Sequence, residues 1–345
     1  MKATIYHGPG DVRVEEVPDA ALREPNDAVV RVTRAGICGS DLWFFRGQSL
    51  IYKPGYRVGH EFLGIVEEVG PEVRDFRPGD LVVAPDAYSD GTCEFCLEGL
   101  HSSCLHGGVW AREGDGGQGE AVRVPEADGT LVGLSEAVAD DEAKLKTALL
   151  LTDVMATGHH AAICAGVGPG STAVVVGDGA VGLCGVLTAR RLGAERIVAV
   201  GHHDGRLEVA RRFGATDTVD SAAPDAVERV LDLTGGGAPS VLEAVGTNES
   251  FAFAVQVARP GGSVGWVGVP HFGTPDWIGI YKKNLHIAGG MAPARAYLPD
   301  LLRDVEAGTL DGSAVLDLTV DLDTILDGYR AMDDRRAIKV FVEVA

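Results

Sequence analysis

Hydrophobic and polar positions change their rhythm near the middle of the chain. In the first part, short apolar stretches are separated by Gly, Pro and Asp: Ala28 to Val32, Gly64 to Val69, Leu81 to Ala84 and Glu120 to Val124. Short runs bounded by turn residues predict strands, and together they predict a compact β-rich or mixed domain. After about residue 165 apolar strands alternate with helix-like segments. Thr172 to Val176 is β-branched and apolar, Val181 to Leu192 is helix-like, Arg196 to Val200 is a second strand and Leu207 to Phe213 a second helix. Val241 to Val245, Ser263 to Val269 and Leu285 to Ala288 read as further buried strands. This alternation predicts a parallel sheet with helices on both faces, because parallel neighbours must be joined by crossovers. The final residues leave the pattern, with an Asp-rich segment and a closing strand, Lys339 to Val344, which we place back on the first domain. The expected fold is therefore α/β in two domains, divided as 1–155, 156–290 and a returning segment 291–345.

A chain of 345 residues is long for one hydrophobic core, which agrees with two domains. Its 47 glycines suit a globular protein rich in tight turns. The opening MKATIYHGPGDVRVEEV has charges and Gly-Pro where a signal peptide would have an apolar run, so no secretion is expected. No run of eighteen apolar residues occurs, and no membrane partner is expected. The expected location is the cytoplasm. Acidic residues outnumber basic ones 50 to 30, giving a formal charge of −20, which argues against nucleic acid as a partner. That charge reads either as an ordinary solvated surface or as a halophilic adaptation, since excess surface carboxylate keeps a protein soluble in high salt. Of six cysteines, Cys164 and Cys184 lie in apolar, helix-like segments and read as small buried hydrophobes. The other four fall in or near loops and are candidate ligands.

Gly177-Asp178-Gly179-Ala180-Val181-Gly182 follows the strand Thr172 to Val176 and opens a helix. It matches G-x-G-x-x-G in the context that gives the match meaning. Gly177 allows the tight turn, Gly179 lets backbone approach a pyrophosphate, and Gly182 lets helix and strand pack closely. The free N–H groups of Ala180, Val181 and their neighbours at the helix start, with its positive dipole end, suit phosphate. In NAD-binding versions an acidic residue ends the second strand and holds the ribose 2′-hydroxyl. Gly201 stands there in this chain, followed by His202, His203 and Arg206, which offer room and positive charge to a 2′-phosphate. NADP is thus expected over NAD, with Asp204 in the acidic role as the alternative. Val269 and Lys339 are counted with the cofactor contacts.

Three segments could supply a catalytic metal: Cys38 with Ser40 and Asp41, His60-Glu61 in Gly59-His60-Glu61-Phe62-Leu63-Gly64, and Asp153 ahead of Thr157-Gly158. A Lewis-acid zinc needs a few borderline-soft ligands, an open position and a supporting outer layer. With the dinucleotide fingerprint, GHE-x-x-G and Gly-x-Cys-Gly-Ser-Asp, the chain resembles the zinc-containing medium-chain dehydrogenase/reductase family along essentially its whole length. The resemblance implies a GroES-like catalytic domain and a Rossmann cofactor domain. It also implies catalytic zinc on Cys38, His60 and Asp153, with Glu61 able to enter or leave the metal's shell.

The family's structural zinc lobe, C-x2-C-x2-C-x7-C, is matched by Cys93, Cys96 and Cys104, but its first position holds Asp90. An Asp/Cys3 zinc site is chemically feasible, and a metal-free lobe, or one that recruits His101 or His106, is the alternative. The implied activity is reversible hydride transfer between a small alcohol and the nicotinamide, with Ser40 carrying the departing proton. Where relatives continue the relay with a His, this chain has Trp43. Trp43 and Trp110 read either as walls of the substrate pocket or as packed aromatics. A sugar or polyol dehydrogenase is the alternative activity, and a non-enzymatic cofactor-binding protein a third reading. A homodimer or homotetramer is expected.

Overall fold

A computed structural model describes residues 1–48, 52–111, 115–271 and 273–344. The chain divides into two units, Met1–Asp153 with Pro293–Ala345, and Val154–Ala292. The division falls just before helix Val154–Cys164, which runs unbroken within the second unit.

In the first unit the long strand Ala28–Ile37 is the organiser. It pairs antiparallel with Phe62–Val69, Ala121–Val124 and Lys339–Glu343, so the end of the chain is built into the sheet begun near its start. The sheet continues on one side to Leu81–Ala84 and Val132–Gly133, and on the other to Leu316–Asp321, which lies parallel to Lys339–Glu343. Ala28, Val30 and Val32 alternate inward onto a core shared with Phe44, Phe62, Trp110 and Tyr329. A separate hairpin, Lys2–Gly8 with Asp11–Glu16, turns at Pro9-Gly10, where Gly10 takes φ +73°, a conformation open to glycine.

The second unit contains a parallel six-stranded sheet in the order Asp217–Asp220, Arg196–Gly201, Thr172–Val176, Ala238–Glu243, Ala258–Trp266, His286–Gly289. The first strand in sequence is central and the later ones wind outward from it to either side. The order therefore reverses beside Thr172–Val176, at the carboxyl ends of the strands where such sheets bind ligands. Helix Asp204–Phe213 ends on Gly214 at φ +113°, with Arg211 and Arg212 in its last turn facing the negative dipole end.

Three strand expectations shift. Val241 to Val245 is shortened at its end, because Glu243 accepts hydrogen bonds from the N–H groups of Val245 and Gly246 and turns the chain. Ser263 to Val269 moves to Ala258–Trp266, leaving Val269 exposed. The last strand, expected to be buried, is His286–Gly289 and is largely exposed, since as an edge strand it has a neighbour on one side alone. Among the described residues no helix is long and apolar enough to cross a membrane.

Candidate active site and metal centres

Cys38 directly follows the long strand Ala28–Ile37, and Ser40-Asp41 begins the short helix Asp41–Phe45. His60-Glu61 leads into the neighbouring strand Phe62–Val69. Asp153 lies between helices Glu142–Leu150 and Val154–Cys164. Strand pairing brings the first two segments side by side, and the loop carrying Asp153 closes over them. Ligand atoms of Cys38, His60, Glu61 and Asp153 all lie within 4.8 Å of one another. The Asp153 Oδ2 is 2.9 Å from the Cys38 Sγ and 3.2 Å from the His60 Nε2.

The surroundings hold these groups in place. The Asp41 carboxylate accepts the Cys38 N–H at 3.0 Å and lies 3.3 Å from the His60 Nδ1, which aims the opposite ring nitrogen at Asp153. Gln118 bonds the Gly36 carbonyl, and Tyr329 donates to Gln118 at 2.8 Å, tying the late helix Ile325–Asp333 to this layer. Gly36 is required because a Cβ there would collide with the Glu61 carboxylate.

Lys339 corrects the sequence reading. It is fully buried, and its Nζ donates to Glu61 at 2.6 Å and to the Ile37 carbonyl at 3.2 Å, so its charge, counted in the sequence with the cofactor contacts, is committed to Glu61.

The electrostatics suit a cation. Burial, then the neighbouring carboxylates, pushes the Cys38 thiol up to about 12. Burial likewise raises Glu61 to about 7 against the pull of Lys339. For Asp153 burial also acts upward, but the hydrogen bond and charge of His60 win and hold its carboxyl below the usual range. A thiol, an imidazole and two carboxyls crowded together out of water, most of them holding their protons, is an arrangement in which a divalent ion can take the place of those protons, and this mixed S, N, O set suits zinc. Ser40 is partly exposed beside the cluster, its N–H 3.5 Å from the Cys38 Sγ. Trp110 is fully buried, donates to the Pro85 carbonyl at 2.7 Å and packs edge-on against Phe62, so it is a packed aromatic.

The second cluster is Asp90, Cys93, Cys96 and Cys104, whose ligand atoms also lie within 4.8 Å of one another. The cysteines are free thiols, with the Sγ atoms of Cys93 and Cys104 3.8 Å apart. Asp90 fills the place of the missing thiol, accepting the N–H groups of Thr92 and Cys93 at 2.8 and 2.9 Å. His106 pairs with the far Asp90 oxygen at 2.7 Å, while His101 turns to Ser89. The donor set fits a zinc ion without either imidazole.

In the second unit, Gly182 sits so close to the Gly177 carbonyl that a Cβ would clash, Gly177 takes φ +119°, and a Cβ on Gly179 would meet open space. That space, at the start of helix Ala180–Arg191, is a fit for phosphate. Asp178, a variable position of the motif, is the central group of this region. Its Oδ2 accepts the N–H groups of His202 and His203 at 2.8 and 2.9 Å and lies 2.9 Å from the His203 Nδ1. A side chain at Gly201 would collide with it. Arg206 lies 4.0 Å from the other Asp178 oxygen, and the His202 and His203 rings stack at 4.0 Å. Asp204 is exposed at the helix start. Cys184 is buried as expected, but Cys164 is partly exposed with its Sγ 3.6 Å from His160.

Residues 24–135 match the alcohol dehydrogenase GroES-like domain, and residues 180–307 the zinc-binding dehydrogenase family model. A probable zinc-binding alcohol dehydrogenase of Mycobacterium tuberculosis is 38% identical over 335 residues, covering 95% of this chain and 84% of that protein. An NADP-dependent isopropanol dehydrogenase of Clostridium beijerinckii is 34% identical over 81% of each chain. The structure of an alcohol dehydrogenase from Thermus sp. ATN1 superposes with a TM-score of 0.92 at 34% identity and 100% coverage of both chains. With one buried and one half-buried donor cluster of zinc type and a dinucleotide fingerprint on a parallel sheet, the chain belongs to the zinc-containing medium-chain dehydrogenase family, an oxidoreductase of alcohol dehydrogenase type.

Proposed function

We propose that this protein catalyses reversible oxidation of a small alcohol to its aldehyde or ketone with NADP. The observation that carries the reading is the convergence of Cys38, His60 and Asp153 from three distant segments onto one point, with Glu61 at its margin. When bound there, zinc would supply Lewis acidity toward an alcohol oxygen, and a nicotinamide cofactor would accept the hydride. Cys38, His60 and Asp153 would hold the ion. Asp41 fixes the His60 ring, and Lys339 anchors the Glu61 carboxylate within the cluster, where it could serve as a further ligand. Ser40, partly exposed, takes the hydroxyl proton toward solvent. Asp90, Cys93, Cys96 and Cys104 would hold a second, structural zinc.

For the cofactor, Gly201 with His202, His203 and Arg206 supports NADP. A second reading has support in Asp178, whose carboxylate occupies the space beside Gly201 and supplies the acidic group that NAD-binding sheets place there. We further read the protein as cytoplasmic and as a homodimer or homotetramer. The open edge strand His286–Gly289 and the exposed Trp277, Ile278 and Tyr281 support self-association. The experiment is zinc content by mass spectrometry together with NADP and NAD reduction over a panel of alcohols and sugars. Zinc-loaded protein that reduces neither cofactor with any member would sink the reading, and preference for NAD would select the Asp178 alternative.

A further inference from the structure

A third group of metal-ligating side chains lies in the second unit, apart from the two zinc-type clusters. Asp178, His202 and His203 each bring one donor atom to it, and these atoms all lie within 4.8 Å of one another. Asp178 stands just beyond strand Thr172–Val176, and His202 and His203 directly follow the neighbouring strand Arg196–Gly201, so the parallel pairing of the two strands sets the three side by side. The backbone fixes the carboxylate, whose Oδ2 accepts the N–H groups of His202 and His203 at 2.8 and 2.9 Å. The same oxygen is 2.9 Å from the His203 Nδ1, close to the roughly 3 Å that separates two ligands each held about 2 Å from one zinc ion. The His202 and His203 ring centroids are 4.0 Å apart, and the His202 Nδ1 is 3.4 Å from the Ser221 Oγ, a partner that orients the ring. Asp178 is buried, His203 half-buried and His202 exposed, so the cluster is fixed at its base and open to solvent at its rim. With a formal charge of −20, the protein also draws cations toward its surface.

We propose that Asp178, His202 and His203 form a third metal site, for a divalent transition-metal ion, and that the ion held there turns this end of the cofactor pocket from hydroxyl-binding to phosphate-binding. Two imidazoles and one carboxylate make an N,O set that suits zinc, nickel or cobalt, and three protein ligands leave a position open for an outside oxygen. On binding, the ion takes the place of the proton in the hydrogen bond between His203 and Asp178. The effect on the cofactor rests on the reading above, in which this region faces the 2′ position of the adenosine ribose. Without the ion, Asp178 presents a negative charge that accepts a ribose hydroxyl and repels a phosphate. With it, ion and carboxylate together are positive, Arg206 stands 4.0 Å from the carboxylate, and a 2′-phosphate becomes a ligand for the open position. Preference for NAD and preference for NADP then belong to two states of one site. By reciprocity, NADP tightens the ion as much as the ion tightens NADP.

The test adds Co²⁺ to the zinc-loaded protein and to its His202→Ala and His203→Ala variants. Cobalt in an N,O set absorbs in the visible without the thiolate-to-metal band that Cys38 or the cysteine lobe would give. A saturable spectrum of the N,O kind is expected, with affinity falling about tenfold or more in each variant. Calorimetry then compares NADP and NAD binding, in the absence of any alcohol, with and without Co²⁺. The ratio of NADP to NAD affinity is expected to rise by about fivefold or more on the wild type, and to be unmoved by Co²⁺ on His203→Ala. Co²⁺ that fails to bind, that binds with a thiolate band alone, or that binds both variants as tightly as the wild type would overturn the site. N,O-type binding with the affinity ratio unchanged or lowered would overturn the switch. Co²⁺ binding that needs both histidines, while neither cofactor binds at any cobalt concentration, would support the metal site and refute the cofactor reading.

Discussion

Replacing Lys339 by Met isolates the ion pair that underlies the catalytic cluster. Lys339 and Glu61 are both fully buried, with the Nζ 2.6 Å from the Glu61 carboxylate and 3.2 Å from the Ile37 carbonyl. Met keeps most of the side chain's volume, so the change removes charge without opening a cavity. Breaking one partner of a buried pair leaves an uncompensated charge, at a cost of about 3–5 kcal/mol. For a folding unit of roughly 200 residues, in which each kcal/mol moves Tm by about 2–4 °C, the expected loss is about 6–20 °C.

Protonation sets where in that range the result falls. Burial already places Glu61 at about 7, and without Lys339 it moves higher still, so the variant's folded state holds the Glu61 proton where the wild type's releases it. Stability falls with rising pH wherever the folded state binds more protons than the unfolded one. The deficit of the variant should therefore grow from pH 6 to pH 8. The assay is calorimetry of chelator-treated protein at both values. Adding Glu61→Met should recover much of the loss, because replacing a buried pair by apolar residues is often neutral or stabilising. A Lys339→Met protein that melts within about 2 °C of wild type at both pH values would refute the reasoning, as would a double variant no more stable than the single one.

Other expectations are more direct. Cys38→Ser or His60→Ala should abolish turnover and remove one zinc per chain, while circular dichroism and cofactor binding stay near wild type; substantial activity in the metal-depleted variant would exclude the zinc mechanism. Arg206→Ala should raise the KM for NADP roughly tenfold and leave that for NAD little changed, and equal effects on both would show that Arg206 does not face a 2′-phosphate. Asp178 is held below the usual carboxylate range, against burial, by His203 and the backbone N–H groups of His202 and His203. Its contribution is present above the ordinary carboxylate range and is lost as pH falls through its depressed value, so Asp178→Asn should flatten the acid limb of a stability profile, and an unchanged limb counts against this. Metal analysis should find close to two zinc ions per chain, and Asp90→Cys should raise Tm and chelator resistance of the lobe; unchanged zinc and Tm would show that the loop is held without metal.

Much of this architecture was readable because it is locally encoded. The strand Thr172–Val176, its glycine turn and the helix after it are contiguous, and each glycine answers to a constraint within a few residues, so the pattern and the physics coincide. Cys38, His60, Asp153, Cys93, Cys96 and Cys104 were legible because their flanking motifs resemble those of a known family. Where reading failed, the deciding contact joined residues far apart in sequence. Lys339 looks like a free cation until the closing strand pairs with Ala28–Ile37 and places it, out of water, on Glu61. Asp178 is an unconstrained position in its motif, and only the parallel pairing of Thr172–Val176 with Arg196–Gly201 sets it against Gly201. Trp110 could wall a pocket or fill a core, and the Pro85 carbonyl and the Phe62 ring settle it for the core. The sequence by itself determined the elements and the family, because turn chemistry and periodicity act over a few residues. The tertiary structure alone decided which charges face one another, because burial and Coulomb interactions depend on distance in space.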